Sequence, residues 1–139
     1  MPRQVKVEIE GNHIPNVLHV EYGLDVSRDT NGAPVDADPR LKTITIVRRS
    51  DDNTDLWRWS LHPHQGNFKS GKIVFKDPVQ EDQDLITVEW KNGFVRRYSE
   101  NLPHIHHNKR EPLTEMVEVS AQTITINGVE WEANFKDWV

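Results

Sequence analysis

A period-two alternation of apolar and polar residues is the feature that most constrains this chain. In residues 18–26 every even position is apolar, and the odd positions between them are polar or glycine. Such alternation is typical of a half-buried β-strand. Residues 5–9, 85–90 and 117–121 repeat it, whereas residues 41–47 carry apolar side chains on both faces, as in a strand that is covered on both sides. The chain is therefore predicted to be mainly β.

A long polar segment separates the strand at 18–26 from the strand at 41–47. Residues 27–40 show no hydrophobic period, contain Pro34 and Pro39, and include a turn-prone run at 29–34. A loop of this length inside a compact domain needs a reason, because most connections are far shorter. Three outcomes stay open: the loop is disordered, it closes over a ligand, or it docks on another subunit.

One segment shows a helical pattern instead of alternation. Residues 50–55 offer several N-cap candidates, the apolar residues Leu56, Trp57, Trp59 and Leu61 follow, and Pro63 stops the segment. This predicts a helix of about ten residues over 53–62, with apolar side chains on more than one face. Two interpretations stay open: the helix is wedged between a sheet and a second surface, or it plugs the domain's own core.

Turn signals complete the predicted architecture. The Asn-Gly pairs at 92–93 and 127–128 predict β-hairpins, and residues 5–9 and 18–26 also resemble a hairpin. A change of parity near Gln122 predicts a bulge or bend, as where a sheet curls into a barrel. Arg96 and Arg97 would point to opposite sides of one strand, so that one of them lines a wet surface or a subunit contact. About eight strands with one short helix indicate a barrel or sandwich.

Composition limits the classes of function. The 139 residues are predicted to form a single domain over 1–139. The absence of cysteine excludes disulfides and thiolate metal sites. No apolar run could span a bilayer and no signal segment is visible, so synthesis in the cytoplasm is expected, and any export would need no cleaved leader. A net charge of −5 with scattered basic residues argues against a nucleic-acid surface, and a mean hydropathy of −0.72 alongside five tryptophans suggests aromatic surface to be covered by partners.

Catalytic motifs are missing from the sequence. The chain has no nucleophile elbow, no dinucleotide or phosphate loop, and no carboxylate in an apolar context that would favour acid catalysis. His104, His106 and His107, with His62 and His64, form the one group that resembles metal ligands, but a solvated histidine loop is the favoured interpretation. No catalytic, metal-binding or cofactor-binding residue is therefore predicted, and a metal-dependent enzyme is the weaker hypothesis.

Seven segments, in order, resemble the haemolysin-coregulated protein family, the tube protein of type VI secretion. The likeness is greatest to the compact Bacteroidetes-type members, which in turn resemble phage tail tube proteins. The segments are the strand at 18–26, Asp29-x-x-Gly32-x-Pro34, the strand at 43–47, Leu56-Trp57-x-Trp59, residues 70–75, residues 85–101, and the pair 118–122 with 124–128.

The resemblance implies a β-barrel of two packed sheets, with one short flanking helix and a long extended loop. It further implies that six copies form a ring, and that rings stack into a hollow tube that carries effectors. The implied partners are the chain itself, a contractile sheath, spike and baseplate proteins, and the effectors, without nucleic acid or membrane insertion. The apparatus would export the protein to the extracellular space or a target cell.

The resemblance also assigns contacts to residues. It implies inter-subunit or inter-ring contacts by the loop, helix packing at an interface, and channel or interface charges in a late strand. In this sequence the residues concerned are Asp29, Asn31, Gly32, Pro34 and Val35 in the loop, Leu56, Trp57, Trp59 and Leu61 in the helix, and Arg96 and Arg97 in the strand. Subunits of phage tails and extracellular injection particles share this design, and a monomeric β-barrel that binds a ligand is a more remote alternative.

Overall fold

The described residues form eleven strands and one helix. The computed structural model describes residues 5–25, 31, 40–41, 43–62, 67–80, 82–102 and 113–132. The one helix in these ranges is not long and apolar enough to cross a membrane. The elements are β1 (Val5–Ile9), β2 (Asn12–Ile14), β3 (Val17–Glu21), β4 (Leu24–Asp25), β5 (Arg40–Leu41), β6 (Ile44–Arg49), α1 (Asp55–Ser60), β7 (Lys69–Lys76), β8 (Asp84–Asn101), β9 (Thr114–Ser120), β10 (Thr123–Ile126) and β11 (Val129–Glu132).

Nine of these strands form one antiparallel sheet. Its order is β2-β1-β7-β8-β9-β6-β3, while β10 pairs with β8 and β11, and β4 and β5 form a separate two-stranded ladder. The predicted mainly-β fold with one short helix is thus confirmed. The strand path ends at β2 and β3, and these two edges do not pair within the described ranges, so the predicted closure into a barrel is not shown.

Strand β8 is the longest element and connects the two halves of the sheet. It runs through Asn92 and Gly93 without reversing, so the hairpin predicted at this Asn-Gly pair is wrong. A type I′ turn needs positive φ at both central residues, and of the two only Asn92 has it, at 53°. Gly93 instead leaves room for a buried indole, because a Cβ there would lie 2.7 Å from Nε1 of Trp90. The pair therefore bends a continuous strand.

The partners of β8 bend at the same level. In β8, the residues up to Lys91 pair with β10 and the residues from Phe94 onward pair with β9. The break between β9 and β10 therefore lies opposite Asn92. The Asn92 Nδ2 group donates to Gln122 Oε1 at 2.5 Å across this break. The bend predicted near Gln122 is confirmed. The second Asn-Gly pair does form a hairpin, between β10 and β11, with φ of 48° at Asn127 and 88° at Gly128.

The predicted N-terminal hairpin between 5–9 and 18–26 is wrong. Strand β1 turns at Glu10 and Gly11 into the short β2, and its other neighbour is β7, whereas β3 pairs with β6. A register shift between Val17 and His19 changes the phase of β3 and leaves Leu18 half exposed. The strand predicted over 18–26 is also split into β3 and β4, and residue 26 lies outside the described residues.

The sheet curls around one apolar core. Buried side chains from the two ends of the strand path belong to the same cluster, so strands that are distant in pairing order pack on each other. The helix adds Leu56 and Trp59 to this cluster. Its fully buried sheet members are Val7, Ile44, Ile46, Ile73, Val88, Trp90, Val117 and Val119.

Candidate functional site

Helix α1 starts from a chain of local hydrogen bonds. Asp51 Oδ1 accepts from the backbone N–H of Asn53 at 2.9 Å, and Asn53 Oδ1 accepts from the N–H of Asp55 at 2.8 Å. The N-cap residue, Thr54, makes no side-chain cap hydrogen bond. The acidic run at 50–55 thus positions the helix through side chain to backbone bonds. The helix itself spans six residues, which is shorter than the predicted 53–62.

The apolar residues of α1 face two directions. Leu56 and Trp59 are buried in the core, whereas Trp57 is 48% exposed and Leu61 is 50% exposed. Trp59 is further fixed by a reciprocal pair of bonds: its Nε1 donates to Asn67 O, and Asn67 Nδ2 donates to Trp59 O, both at 3.1 Å. The helix is therefore anchored by one face and presents a second apolar face to solvent.

The exposed face of α1 is held by an aromatic contact. The rings of Trp57 and Tyr98 meet edge to face, with centroids 5.3 Å apart and planes at 61°. Such a pair contributes about 0.5–1.5 kcal/mol beyond the area it buries. Trp57 consequently has a defined orientation although half of it is accessible.

Beneath this aromatic pair lies a buried cluster of charges. Arg48 is 1% exposed; it pairs through Nη1 with Glu115, donates from Nη2 to Asp51 Oδ2 at 2.6 Å, and donates from Nε to Pro15 O at 3.0 Å. The Tyr98 hydroxyl is hydrogen-bonded to Glu115 Oε2 at 2.6 Å and to Glu100. A phenol has one proton to donate, so it can satisfy only one of these two carboxylates at a time.

The protonation states in this cluster follow from its contacts. Burial by itself would lower the pKa of Arg48, but its hydrogen bonds to Asp51 and Glu115 outweigh that effect and raise it. The hydrogen bond from Arg48 is the largest cause that lowers the pKa of Asp51. Burial, followed by the hydrogen bonds to Glu100 and Glu115, raises the pKa of Tyr98. The guanidinium and the neutral phenol are therefore the stable forms.

The sequence contained a signal for this cluster that hydrophobicity does not show. Arg48 has the same parity as Ile44 and Ile46 in β6, and Glu115 has the same parity as Val117 in β9. Both charged residues thus lie on the inward face of adjacent strands, directly opposite each other in the register. Opposite charges in facing inward positions predict a buried ion pair.

Arg96 and Arg97 both lie at the surface of β8 and not in the core. A bulge in β8 falls between Val95 and Arg97, and it places two residues of β8 against one step of β9. Both arginines are exposed as a result, and Arg97 Nη1 lies 3.9 Å from an Oε atom of Glu118. The bulge explains how consecutive arginines avoid the core.

Most of the loop predicted to make contacts falls outside the described residues. This applies to Asp29, Gly32, Pro34 and Val35, while Asn31 is described as an exposed turn residue. The base of the loop is described: Asp25 pairs with Arg40 and Leu24 with Leu41. The two ends of the segment are thus held together by a short ladder.

Most of the histidine group falls outside the described residues, so its interpretation as a solvated loop stays a prediction. His64, His104, His106 and His107 lie outside the described residues, and His62 is exposed after α1. In the ranges that the structure describes, no three His, Cys, Asp or Glu side chains come together as metal ligands would.

A family model and solved structures resemble the chain over nearly its full length. The family model described as hemolysin coregulated protein Hcp (TssD) matches residues 1–138. No curated protein matches. Hcp1 from Flavobacterium johnsoniae has a TM-score of 0.78 at 26% identity and covers 93% of this chain and 98% of its own.

Two further solved structures are less identical in sequence. Hcp1 from Salmonella typhimurium has a TM-score of 0.67 at 14% identity, with coverage of 91% of this chain and 86% of its own. The sheath–tube complex of an extracellular contractile injection system, PVC, has a TM-score of 0.56 at 18% identity, with coverage of 91% and 89%. At these identities the likeness shows the fold alone.

Proposed function

Because the chain belongs to the Hcp (TssD) family of haemolysin-coregulated proteins, we propose that it is the inner-tube subunit of a type VI contractile injection apparatus. In this role six copies form a ring, rings stack into a hollow tube, and effectors travel with that tube. The observation that carries the proposal is the family match over residues 1–138. The protein would assemble in the cytoplasm and leave the cell with the apparatus.

The subunit in this proposal is a barrel of two packed sheets. The single core supports this arrangement. Strands β1 and β6 lie next to the two ends of the strand path, and their side chains already pack in one core together with those of α1. Edge strands with free backbone groups invite pairing with a neighbouring chain. Closure of the barrel and continuation of the sheet in the next subunit are both compatible with the edges β2 and β3.

The proposed work of the protein is assembly and not bond chemistry. Stacked rings need one heterologous contact that closes and a second, axial contact that does not close. The loop 27–40, with its ends held by the β4–β5 ladder, would reach a neighbouring subunit or the next ring. Trp57 and Leu61 on the outer face of α1 would meet a neighbour or the sheath, and the exposed Arg96 and Arg97 would face the channel or an interface.

An extracellular injection particle is the second candidate. The fold likeness to a sheath–tube complex of such a system favours it, and a phage tail tube would have the same subunit design. The two settings make different predictions, since a type VI tube subunit appears outside intact cells only when the cell's own sheath contracts. Sedimentation of the culture medium, probed for this protein, separates them, because the protein pellets within intact sheathed particles only in the second case.

Native mass spectrometry and negative-stain imaging of the purified protein test the proposal directly. The expected result is a species of six times 16.2 kDa that appears as a hollow ring, with stacks of rings at higher concentration. A single particle of 16.2 kDa at every concentration would contradict the tube role and favour a monomeric ligand-binding barrel.

A further inference from the structure

A hydrogen-bonded turn presents one apolar side chain at the end of β7. Asp77 Oδ1 accepts from the backbone N–H of Val79 at 2.8 Å and from that of Gln80 at 3.3 Å, and the Asp77 N–H donates to Gln83 O at 2.9 Å. Val79 at the tip of this turn is 87% exposed. An isolated exposed valine is ordinary, so its meaning depends on a complementary surface elsewhere.

A pocket that is lined by four apolar and six polar or charged residues lies between α1 and the β1–β2 hairpin. It has a volume of about 320 Å³, and its base is made of apolar side chains that belong to the core. The apolar lining residues are Ile9, Ile14, Leu56 and Trp59. Each of these four side chains is at most 5% exposed. A side chain that enters the pocket would therefore lose more of its own exposed surface than these lining side chains would lose.

The charges around the pocket complement those of the turn. Arg58, His62 and Lys69 line the pocket together with one acidic residue, Asp55. Arg58 and Lys69 form no ion pair with a described carboxylate. The turn carries Asp82, which is exposed and likewise makes no ion pair within the described ranges.

The turn and the pocket lie at opposite ends of the same strand. Lys69, which lines the pocket, begins β7, and Lys76, which precedes the turn, ends it. A strand of this length separates its ends by about 23 Å. Pairing on both sides, with β1 and β8, keeps β7 extended between these two ends, so one copy of the chain cannot bring its own turn to its own pocket.

We propose that the β7–β8 turn of one copy docks into the α1 pocket of the next copy. The inference rests on the self-assembly in the proposed function and names one of its heterologous contacts. Val79 enters the pocket, and Asp82 meets Arg58 or Lys69 at the rim. Complementary rim charges set orientation and association rate more than affinity. A contact between opposite ends of a subunit is head to tail, which generates rings or filaments.

Disulfide trapping tests the contact, because the chain has no cysteine of its own. Val79→Cys combined with Asn12→Cys, at the pocket lining, should give a ladder of covalent multimers on oxidation that collapses to monomer on reduction. Disulfides form only when the two Cα atoms come within about 7 Å. The matched control is Val129→Cys with Asn12→Cys, since Val129 is 76% exposed on the β10–β11 hairpin, and it should stay monomeric on the same gel.

A charge exchange tests the same contact without new bonds. Asp82→Lys and Arg58→Glu alone should each weaken assembly about fivefold, as reversed rim charges do, and both changes in one chain should restore it. If the wild-type protein never assembles, the proposed function itself fails. If the wild-type protein assembles while the cysteine pair gives no ladder and the charge variants assemble like the wild type, only the docking contact is overturned.

Discussion

At the scale of single residues, the buried Arg48 depends on its carboxylate partners. A charge that is taken out of water must be compensated by hydrogen-bonded counter-charges, and Glu115 and Asp51 supply them. Replacing one partner leaves the guanidinium short of a counter-charge, whereas replacing both members of a pair by apolar residues removes the problem. The cluster therefore stabilises this end of the sheet only as a complete set.

The first prediction concerns the Arg48–Glu115 pair. Glu115→Leu should lower the free energy of unfolding by about 3 kcal/mol, and Arg48→Met together with Glu115→Leu should recover part of that loss. Urea unfolding of the single and double variants measures both values. The control is Glu89→Leu. Glu89 lies opposite Lys72 in the β7–β8 pair, in an exposed ion pair at 4.0 Å, so this change should lower the free energy of unfolding by less than about 1 kcal/mol. Equal losses at the two sites would contradict the role of burial.

The second prediction follows from the raised pKa of Tyr98. Its pKa is higher in the folded state than the ordinary value near 10, so above about pH 10 the unfolded chain loses this proton while the folded chain keeps it. Stability from this group is complete below that pH and is lost as pH rises. Above about pH 10 the free energy of unfolding of the wild type should therefore fall more steeply with pH than that of Tyr98→Phe, measured by denaturation at each pH. Parallel pH curves for the two proteins would contradict the assignment.

At the scale of elements, α1 is an anchor on one side and a surface on the other. Six residues cannot form a stable helix alone, so the buried side chains Leu56 and Trp59 hold it in place. The exposed Trp57 contributes its contact with Tyr98 and leaves half of its surface for another partner.

The third prediction separates these two tryptophans. Trp59→Ala should cost about 3–5 kcal/mol, as for a large aromatic leaving a core, and it also removes the hydrogen bond from the indole Nε1 to Asn67 O. Trp57→Ala should cost the subunit about 1–2 kcal/mol, in line with its partial burial. Denaturant unfolding of the dissociated subunit measures the difference, and matching losses would mean that the exposed face is not a free surface.

Local sequence rules predicted the strands but not all of their connections. Alternation identified the buried positions Val7, Ile9 and Val117, since period-two patterns follow directly from strand geometry. The two Asn-Gly pairs look alike in sequence, yet only the one at 127–128 reverses the chain. The difference lies in Trp90, whose indole lies over Gly71 on β7 as well as over Gly93, a contact between distant segments that no local pattern contains. Bulges at Leu18 and Arg96 likewise depend on the neighbouring strand.

At the scale of the whole molecule, the exposed apolar side chains and unpaired strand edges of the subunit are the surfaces that assembly would use. The outer face of α1, the exposed Val79, and the backbone edges of β2 and β3, which do not pair within the described ranges, lie at the surface of a lone subunit. Binding between copies stabilises the folded state by mass action, so apparent stability should follow protein concentration in the assembled protein. The loop 27–40 is expected to join this group, because the β4–β5 ladder holds its ends together and its length exceeds what that connection needs.

The fourth prediction is that shortening this loop separates folding from stacking. Deleting residues 31–36 leaves enough chain to join Asp25 to Arg40, because antiparallel strands can be connected by a few residues. The variant should keep its circular-dichroism spectrum and unfold within about 1 kcal/mol of the wild type, since the core strands are untouched. Gly32→Val should act in the same direction if a positive φ is needed there.

Sedimentation separates the outcomes of these loop variants. Rings that persist while longer stacks disappear would assign the loop to the axial contact, whereas loss of the rings would assign it to the contact within a ring. A deletion of similar size cannot be matched elsewhere in the sheet without cutting a strand, so the comparison is the Val129→Asp variant, which changes an exposed residue of the β10–β11 hairpin and leaves both the loop and the β7–β8 turn intact. Tubes of unchanged length in the deletion variant would show that the loop serves neither contact, and assembly would then have to depend on the helix face and the sheet edges alone.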